Sequence, residues 1–435
     1  MKLFIKNFAK IKEATVEFNG ITVIAGDNNT GKSTVGKILF AFYDAFYDIT
    51  QKVKEERKSA IHRAISFEFG NFFNDEEHVR NTLFLPNYLQ YIKKIKVNDD
   101  FDAIDVDEII QNALGDDFHA LSVEDKQQLH KNITARLDKI KEVQDEELKE
   151  RIIGEYFQNL FNSQINSLSK DGSKEDNAIV TLSIKNKNIS STFYHDQCIE
   201  VGQQINLLNK SVYIDDPFIV DTALRKSSLP DFVLRKSSRS ELNRRLTQYL
   251  NQPKEGHLVE KLLAEKQLEE INEKLKRVVP GEFTISERGD VALKSERLTG
   301  TIDIANLSTG IKAFVILKKL LEDDVLKPKD VLILDEPEIH LHPEWQIIYA
   351  ELIVLLQKYF DLTILLTTHS PYFLKAIDVF AMKHDIKNKC KFYLSNMDWN
   401  DNSAYFTDKT DNMEALFEKM ANAFTILNSI EDEYR

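Results

Sequence analysis

Gly26-Asp27-Asn28-Asn29-Thr30-Gly31-Lys32-Ser33-Thr34 fits G-x-x-x-x-G-K-[ST] without a mismatch. Its flanks decide how it is read. The apolar run Ile21 to Ala25 before it predicts a strand. After it, Val35 to Tyr47 predicts a helix with Val35, Ile38, Leu39 and Phe42 on one face. Strand, glycine-rich turn and helix start form the context in which this pattern carries chemistry. Glycines let successive backbone N–H groups turn inward around a phosphate chain. The helix N-terminus adds the positive end of its dipole. Lys32 then reaches the outer phosphates of a nucleotide, and the Ser33 hydroxyl is placed to hold Mg²⁺. The bland alternative is a glycine-rich turn with a chance lysine, and the flanking strand and helix argue against it.

The chain has 435 residues, 42% hydrophobic and 29% charged, enough for two or three domains with a sizeable core. Its net charge of −13 excludes a globally basic nucleic-acid coat but not a local basic patch. Cys198 and Cys390 stand far apart and form no CxxC pair, which predicts reduced thiols in a cytoplasmic protein. The opening Met1 to Lys6 is too short and too charged for a signal segment. No apolar run approaches the roughly 18 residues of a membrane span.

Along the chain, Met1 to Phe18 alternates as a strand pair, with a turn at Asn19-Gly20. From residue 51 to 175 the composition turns charged and helix-forming, with its clearest helical stretch at Ser122 to Phe161. Alternation returns at Ala178 to Tyr194 as a hairpin, followed by a strand at Ser211 to Ile214. Leu224-Arg225-Lys226-Ser227-Ser228 then recurs as Leu234-Arg235-Lys236-Ser237-Ser238, and Arg239, Arg244 and Arg245 extend the basic run. Its plainest explanation is a solvated loop and helix face; DNA contact is the sharper one. Glu241 to Val279 predicts helix broken near Pro253 to Gly256, and Phe283 to Leu293 a hairpin. One more strand is expected at Lys391 to Leu394. A closing helix from Asp411 to Ile430 carries an apolar stripe of Met413, Leu416, Phe417, Met420 and Phe424.

Three further features join the phosphate loop. The apolar strand Val331 to Leu334 ends in Asp335 and Glu336. Such an end delivers Asp335 to the metal beside Ser33 and Glu336 to an attacking water. His369 ends the next buried strand, where it can reach the terminal phosphate or that water, since ligands of open α/β sheets gather at the carboxyl ends of strands. Asn306-Leu307-Ser308-Thr309-Gly310 opens a helix, a second anion-binding turn built on Ser308 and Gly310.

Together these motifs resemble the ATP-binding-cassette superfamily, and more narrowly the SMC-like and OLD-like AAA ATPases of bacteria found in anti-phage defence. The resemblance covers Met1 to Tyr47 and Phe283 to Leu374. It is carried by Ile5-Lys6-Asn7-Phe8 and by Asp335-Glu336-Pro337-Glu338-Ile339-His340-Leu341-His342-Pro343. It implies an α/β head of the ABC/SMC type with helical insertions, binding ATP with Mg²⁺. Heads of this kind pair head to tail, so that the Ser308–Gly310 turn of one copy closes over the ATP of the other. His340 to Pro343 takes the D-loop position, with histidine at 342 where transporters carry aspartate. His340 and His342 could instead ligate a metal, but no third ligand stands at a useful spacing. No glutamine is assigned to the Q-loop.

OLD-type nucleases add a TOPRIM domain that needs a glutamate and an Asp-x-Asp pair. Between His369 and Met413 there is no glutamate. The expectation is an ATPase alone, regulating a separate effector, a nuclease from a neighbouring gene. The alternative is a DNA-binding SMC-like ATPase of repair or chromosome maintenance. A membrane partner is not expected. The expected layout is a discontinuous head (1–50, 176–222 and 282–410), a helical insertion at 51–175, a second at 223–281, and the helix from 411 to 435.

Overall fold

The computed structural model describes residues 1–74, 104–167, 176–203, 205–224, 241–251, 269–279, 281–286, 290–295 and 299–433. Alternating side chains make the opening segments an antiparallel pair, β1 (Lys2–Phe8) and β2 (Ile11–Glu17), with Leu3, Ile5, Ile11 and Val16 turned into the core. β3 (Ile21–Gly26) is buried along its whole length, as a strand covered on both faces must be. A meander of β4 (Ala178–Ile184), β5 (Lys187–Tyr194) and β6 (Gln197–Gln203) extends the sheet from β1.

The other edge is β7 (Ser211–Ile214). A small antiparallel sheet holds β8 (Glu282–Ile285), β9 (Val291–Lys294) and β10 (Thr301–Asp303). The last strands of the main sheet are β11 (Val331–Asp335), β12 (Thr363–Thr368), β13 (Cys390–Asp398) and β14 (Ser403–Asp408). Among the described residues the main sheet has 11 strands in the order β6-β5-β4-β1-β2-β14-β13-β3-β12-β11-β7. From β13 to β7 all neighbours run parallel, and that half carries the candidate site.

Two compact units divide the chain: residues 48–153, and residues 1–47 with 154–435. In the first, α2 (Ile49–Asn74), α3 (Val106–Leu114) and α4 (Val123–Glu142) share a core that includes Ile61, Ile65, Phe69, Ile110, Leu129 and Ile133. Asp105 and Ser122 cap α3 and α4 by accepting from Glu108 N and Asp125 N, at 3.0 Å each. The helical stretch expected at Ser122 to Phe161 forms as two helices. It breaks at Val143, where Arg57 donates to Ile140 O (3.0 Å), Val143 O (2.6 Å) and the Asp145 carboxylate (2.7 Å), and α5 (Asp145–Phe161) begins.

The boundary at Ile153 corrects the expected end of the insertion at 175. The last turns of α5 belong with the sheet because Phe157 is fully buried against Phe8, Phe42, Phe161 and Phe193. Asn166 continues the attachment, accepting from Asp196 N and donating to Asp176 O, both at 2.8 Å.

In the head, α1 (Lys32–Phe46) follows β3 and starts earlier than expected, at the lysine itself. α6 (Glu241–Leu250), α7 (Thr309–Glu322), α8 (Pro343–Phe360) and α9 (Pro371–Lys383) cover the parallel strands. Proline at the first position starts both α8 and α9, where its missing N–H costs nothing. α10 (Met413–Glu433) lays Met413, Leu416, Phe417 and Met420 on the head core, so the first half of its stripe is packing surface. The Phe424 side chain falls outside the described set, as do residues 225–240 of the basic repeat and 252–268 of the expected arm. Of that basic run, Arg245 Nε is tied to Asp44 Oδ2 at 2.8 Å and Arg244 pairs with Glu241, so both act within the head. Among the described residues no helix is long and apolar enough to cross a membrane.

Phe157→Ala removes a fully buried ring at the junction of β1, α1 and β5. It should cost about 3–5 kcal/mol, read as a lower urea midpoint of the head's unfolding transition. An unchanged midpoint would show that the boundary at residue 153 is misplaced.

Candidate functional site

The site is assembled by register. Asp335 of β11 lies opposite Thr367 of β12, Thr367 opposite Ile24 of β3, and Gly26 opposite Ser395 of β13. β11, β12 and β3 therefore end within two residues of one level while β13 runs on past it, and this is the edge at which open α/β sheets bind ligands.

The phosphate loop leaves β3 at Gly26. A Cβ there would come within 2.3 Å of Ser395 Oγ and 2.4 Å of the Ser395 carbonyl oxygen, so no side chain fits. Gly31, the residue before α1, is left-handed at φ 81°, and Asn29 at φ 68°. Alternating left-handed residues turn successive N–H groups toward one point, the geometry of an anion nest. The loop is braced from three sides. Thr30 Oγ1 shares a 2.7 Å hydrogen bond with Ser395 Oγ. Lys10 donates to Asn29 Oδ1 at 2.6 Å, and Lys419 of α10 pairs with Asp27 Oδ2 at 3.1 Å. Asn28 is exposed at the loop tip, and Thr34 is half-buried in the first turn of α1.

Lys32 is 3% exposed, and its ammonium donates to Gly26 O at 3.1 Å and Asp27 O at 2.8 Å. It also lies 3.3 Å from Glu336 Oε1. Ser33 Oγ donates to Asp335 Oδ1 at 3.0 Å. Thr367 Oγ1 donates to the same oxygen at 2.5 Å, and Tyr213 OH to Oδ2 at 2.8 Å. Burial and the neighbouring Asp335 push the Tyr213 phenol well above its ordinary value, so it stays a donor. Hydroxyl and carboxylate oxygens are the donor set of a hard divalent cation, so Ser33 and Asp335 fit Mg²⁺.

One residue beyond β7 stands Asp215, whose carboxyl is raised to about 6 by burial and then by Asp335. The strand end beside Asp335 thus offers an aspartate, and residues 211–216 include no glutamine.

Glu336 is held at φ 49°, a left-handed conformation uncommon outside glycine. Its N–H is satisfied by Thr367 Oγ1 at 3.0 Å and Thr367 O at 3.2 Å. The turn aims its carboxylate at Lys32 and at His369 Nδ1, 3.7 Å away, an ion-pair distance rather than a formed hydrogen bond. His369 is the largest cause holding the Glu336 carboxyl below its usual range, with Lys32 adding and burial opposing. In return Glu336 raises the His369 imidazole against the effect of burial.

Beneath His369 lies Glu338, which is 2% exposed. Its Oε1 accepts from Thr368 Oγ1 at 2.5 Å and His369 N at 3.0 Å, while Oε2 is buried without a hydrogen-bond partner among the described residues. Burial raises its carboxyl, with the Thr368 bond opposing. Residue-by-residue reasoning did not single out Glu338, Thr367, Tyr213, Asp215 or Ser395. Only Glu338 left a signal, as the second acid of Asp335-Glu336-Pro337-Glu338.

Ser308 and Gly310 lie elsewhere. Ser308 immediately precedes α7, and Gly310 sits in its first turn against the His340 carbonyl and Trp345. With Thr309 and His342 these residues line a cleft of about 480 Å³ that shares no lining residue with the phosphate loop. So the structure brings Lys32, Ser33, Asp335, Glu336 and His369 together, and leaves the Ser308 turn outside that cluster. The His342 ring accepts weakly from Glu344 N at 3.4 Å and caps α8. Among the described residues no group of three His, Cys, Asp or Glu side chains is arranged for a metal ion.

A braced phosphate loop facing an acidic strand end defines a P-loop ATPase domain of the α/β class. The chain matches the AAA ATPase domain family over residues 1–374 and belongs to it. Among solved structures it is similar to the SMC head domain from Thermotoga maritima (12% identity, 94% of this chain and 97% of that one, TM-score 0.38). It is also similar to a SmcHead bound to the C-winged helix domain of ScpA (14% identity, 94% and 96%, TM-score 0.43). A third is the Smc head with an extended coiled coil bound to the C-terminal domain of ScpA, derived from Pyrococcus furiosus (15% identity, 99% and 98%, TM-score 0.39).

Glu338→Ala leaves the Thr368 hydroxyl and the His369 N–H without their buried acceptor. It should lower stability by roughly 1–3 kcal/mol, read by thermal melting, and Glu338→Gln, which keeps an acceptor oxygen, should lose less. Equal melting of the alanine variant and the parent would remove Glu338 from the support of His369.

Proposed function

We propose that the chain binds ATP with Mg²⁺ and hydrolyses it to ADP and phosphate. The observation that carries this is the meeting of Lys32, Glu336 and His369 beside the Ser33–Asp335 oxygens. Lys32, already out of water, offers its ammonium to the outer phosphates. The loop N–H groups hold the same charge from the other side. Glu336 is ionised and accepts a proton from a water whose oxygen attacks the terminal phosphorus, while the ADP oxygen leaves. His369, its charge favoured by Glu336, orients that water or a terminal phosphate oxygen. Ser33 and Asp335 would hold Mg²⁺, which when bound would neutralise charge on the phosphates.

The separation of the Ser308 cleft from the phosphate loop supports a head-to-tail homodimer. In it Ser308 and Gly310 of one copy face the nucleotide held by Lys32 of the other. The motif from Asp335 to Pro343 resembles bacterial ATPases of anti-phage defence, which supports a role as sensor or scaffold governing a separate effector, a nuclease encoded nearby. The second reading, a DNA-binding SMC-like ATPase, draws on the basic repeat at residues 224–245. Co-purification with gene neighbours, together with salt-dependent DNA binding, separates the two. Tight salt-sensitive DNA binding with no bound partner would favour the second.

Lys32→Ala should abolish ATP binding measured by calorimetry. Glu336→Gln should bind ATP and lose turnover by a factor on the order of 10²–10⁴, the usual contribution of a general base. Wild-type turnover in Glu336→Gln would overturn the role given to Glu336.

Ser308→Arg places bulk and charge on the second cleft, away from Lys32. It should leave ATP binding to the monomer intact and stop both ATP-dependent dimerisation, read by light scattering, and hydrolysis. Full activity would show that the heads do not pair through this turn.

A further inference from the structure

A second cleft, of about 250 Å³, lies between the phosphate loop and the β13–β14 hairpin. Its walls include Asn28 and Asn29 of the loop, and Asn396, Trp399, Asn402 and Tyr405 of the β13–β14 hairpin. Trp399 is 84% exposed at the hairpin tip and has no ring or hydrogen-bond partner among the described residues. A large amphipathic ring held in water beside a ligand loop is unusual, because aromatic side chains contribute chiefly through the area they bury. Tyr405, also exposed, presents a second ring in the same cleft.

The hairpin is not loose. Asp398 accepts from Asn400 N at 2.9 Å, and Asp401 accepts from Ser403 N at 2.9 Å and from Lys12 Nζ at 3.1 Å. Its base is locked to the phosphate loop by the Thr30–Ser395 hydrogen bond and by the close approach of Gly26 to Ser395. The hairpin backbone and the loop are therefore held at a fixed separation, which sets the cleft beside anything the loop binds. Asn396 and Asn402 add carboxamides, each with donors and an acceptor, the pairing groups of a heterocycle edge.

We infer that this cleft is the seat of the nucleotide's purine base, with Trp399 as its stacking platform. The inference rests on the ATPase reading and deepens it. The aromatic surface gives affinity for a planar base, and the two carboxamides give it an edge to read. Base stacking on an aromatic side chain is sequence-tolerant, so the ring supplies affinity and the asparagines supply discrimination.

The test compares two ligands that share phosphates and differ in the base: the non-hydrolysable analogue AMP-PNP and inorganic tripolyphosphate. Calorimetry on the full chain with Mg²⁺ should show AMP-PNP binding weakened about tenfold in Trp399→Ala, within the span measured for base–aromatic stacking. Tripolyphosphate binding should not change, and Trp399→Phe should recover most of the loss. Unchanged AMP-PNP affinity in Trp399→Ala, with tripolyphosphate still bound, overturns the inference. Equal weakening of both ligands overturns it too, since the ring would then act on the loop and not the base. If wild type binds neither ligand, the ATPase reading falls first and the base site with it.

Discussion

The Lys32 ammonium is almost wholly removed from water, and the rest of the site answers to that fact. Burying a cation costs several kcal/mol unless close partners replace its hydration. Here they are Gly26 O, Asp27 O and the Glu336 carboxylate. Two of the three come from the end of β3 and one from the end of β11, with β12 between them. The partners coincide only if all three strands stop at one level, which the register from Asp335 through Thr367 to Ile24 provides. Glu336 must also leave the strand line, and it does so in a left-handed conformation that ordinarily costs of order 1–3 kcal/mol. Two hydrogen bonds from Glu336 N to Thr367 hold it there.

Four acids crowd this edge, and their surroundings divide them. Glu336 faces His369 and Lys32 and is held ionised. Asp335 is surrounded by hydroxyl donors that point its oxygens at Ser33. Asp215 and Glu338 are both raised by burial. Acids pushed in opposite directions within one strand edge mark a site with assigned roles, since a solvated acidic patch leaves its members alike.

How legible this was depended on whether a function sits in contiguous residues. The phosphate loop is marked by its G-x-x-x-x-G-K-[ST] pattern, and Asp335, Glu336 and His369 by the apolar runs they follow. Tyr213, Thr367 and Ser395 reach the site through strand register, and nothing local in Ser211–Ile214 or Cys390–Asp398 announces it. β14 was missed because Ser-Ala-Tyr-Phe-Thr-Asp lacks clean alternation. The insertion was drawn too long, to 175, because the last turns of α5 look as helical as the first. Only the buried face of Phe157, against three other elements, assigns them to the sheet. The break at Val143 was equally hidden, since Arg57 makes it from far along the chain.

α10 joins the head core to the phosphate loop. The sequence stripe treats the helix as one face, but the structure splits it. Met413 to Met420 are packed on the core, while Ile426, Leu427 and Ile430 stand about half exposed or more. Within the packed half, Lys419 reaches back to Asp27 of the phosphate loop. Asp27 is mostly exposed, so in water this pair is worth little as stability. Its consequence is positional: the loop residue whose carbonyl also receives Lys32 is tied to a helix whose far turns leave the core. Any rearrangement of Asp27 on loading the loop must either break that pair or carry α10 with it. α10 is thus anchored through its first turns and exposed along its later ones.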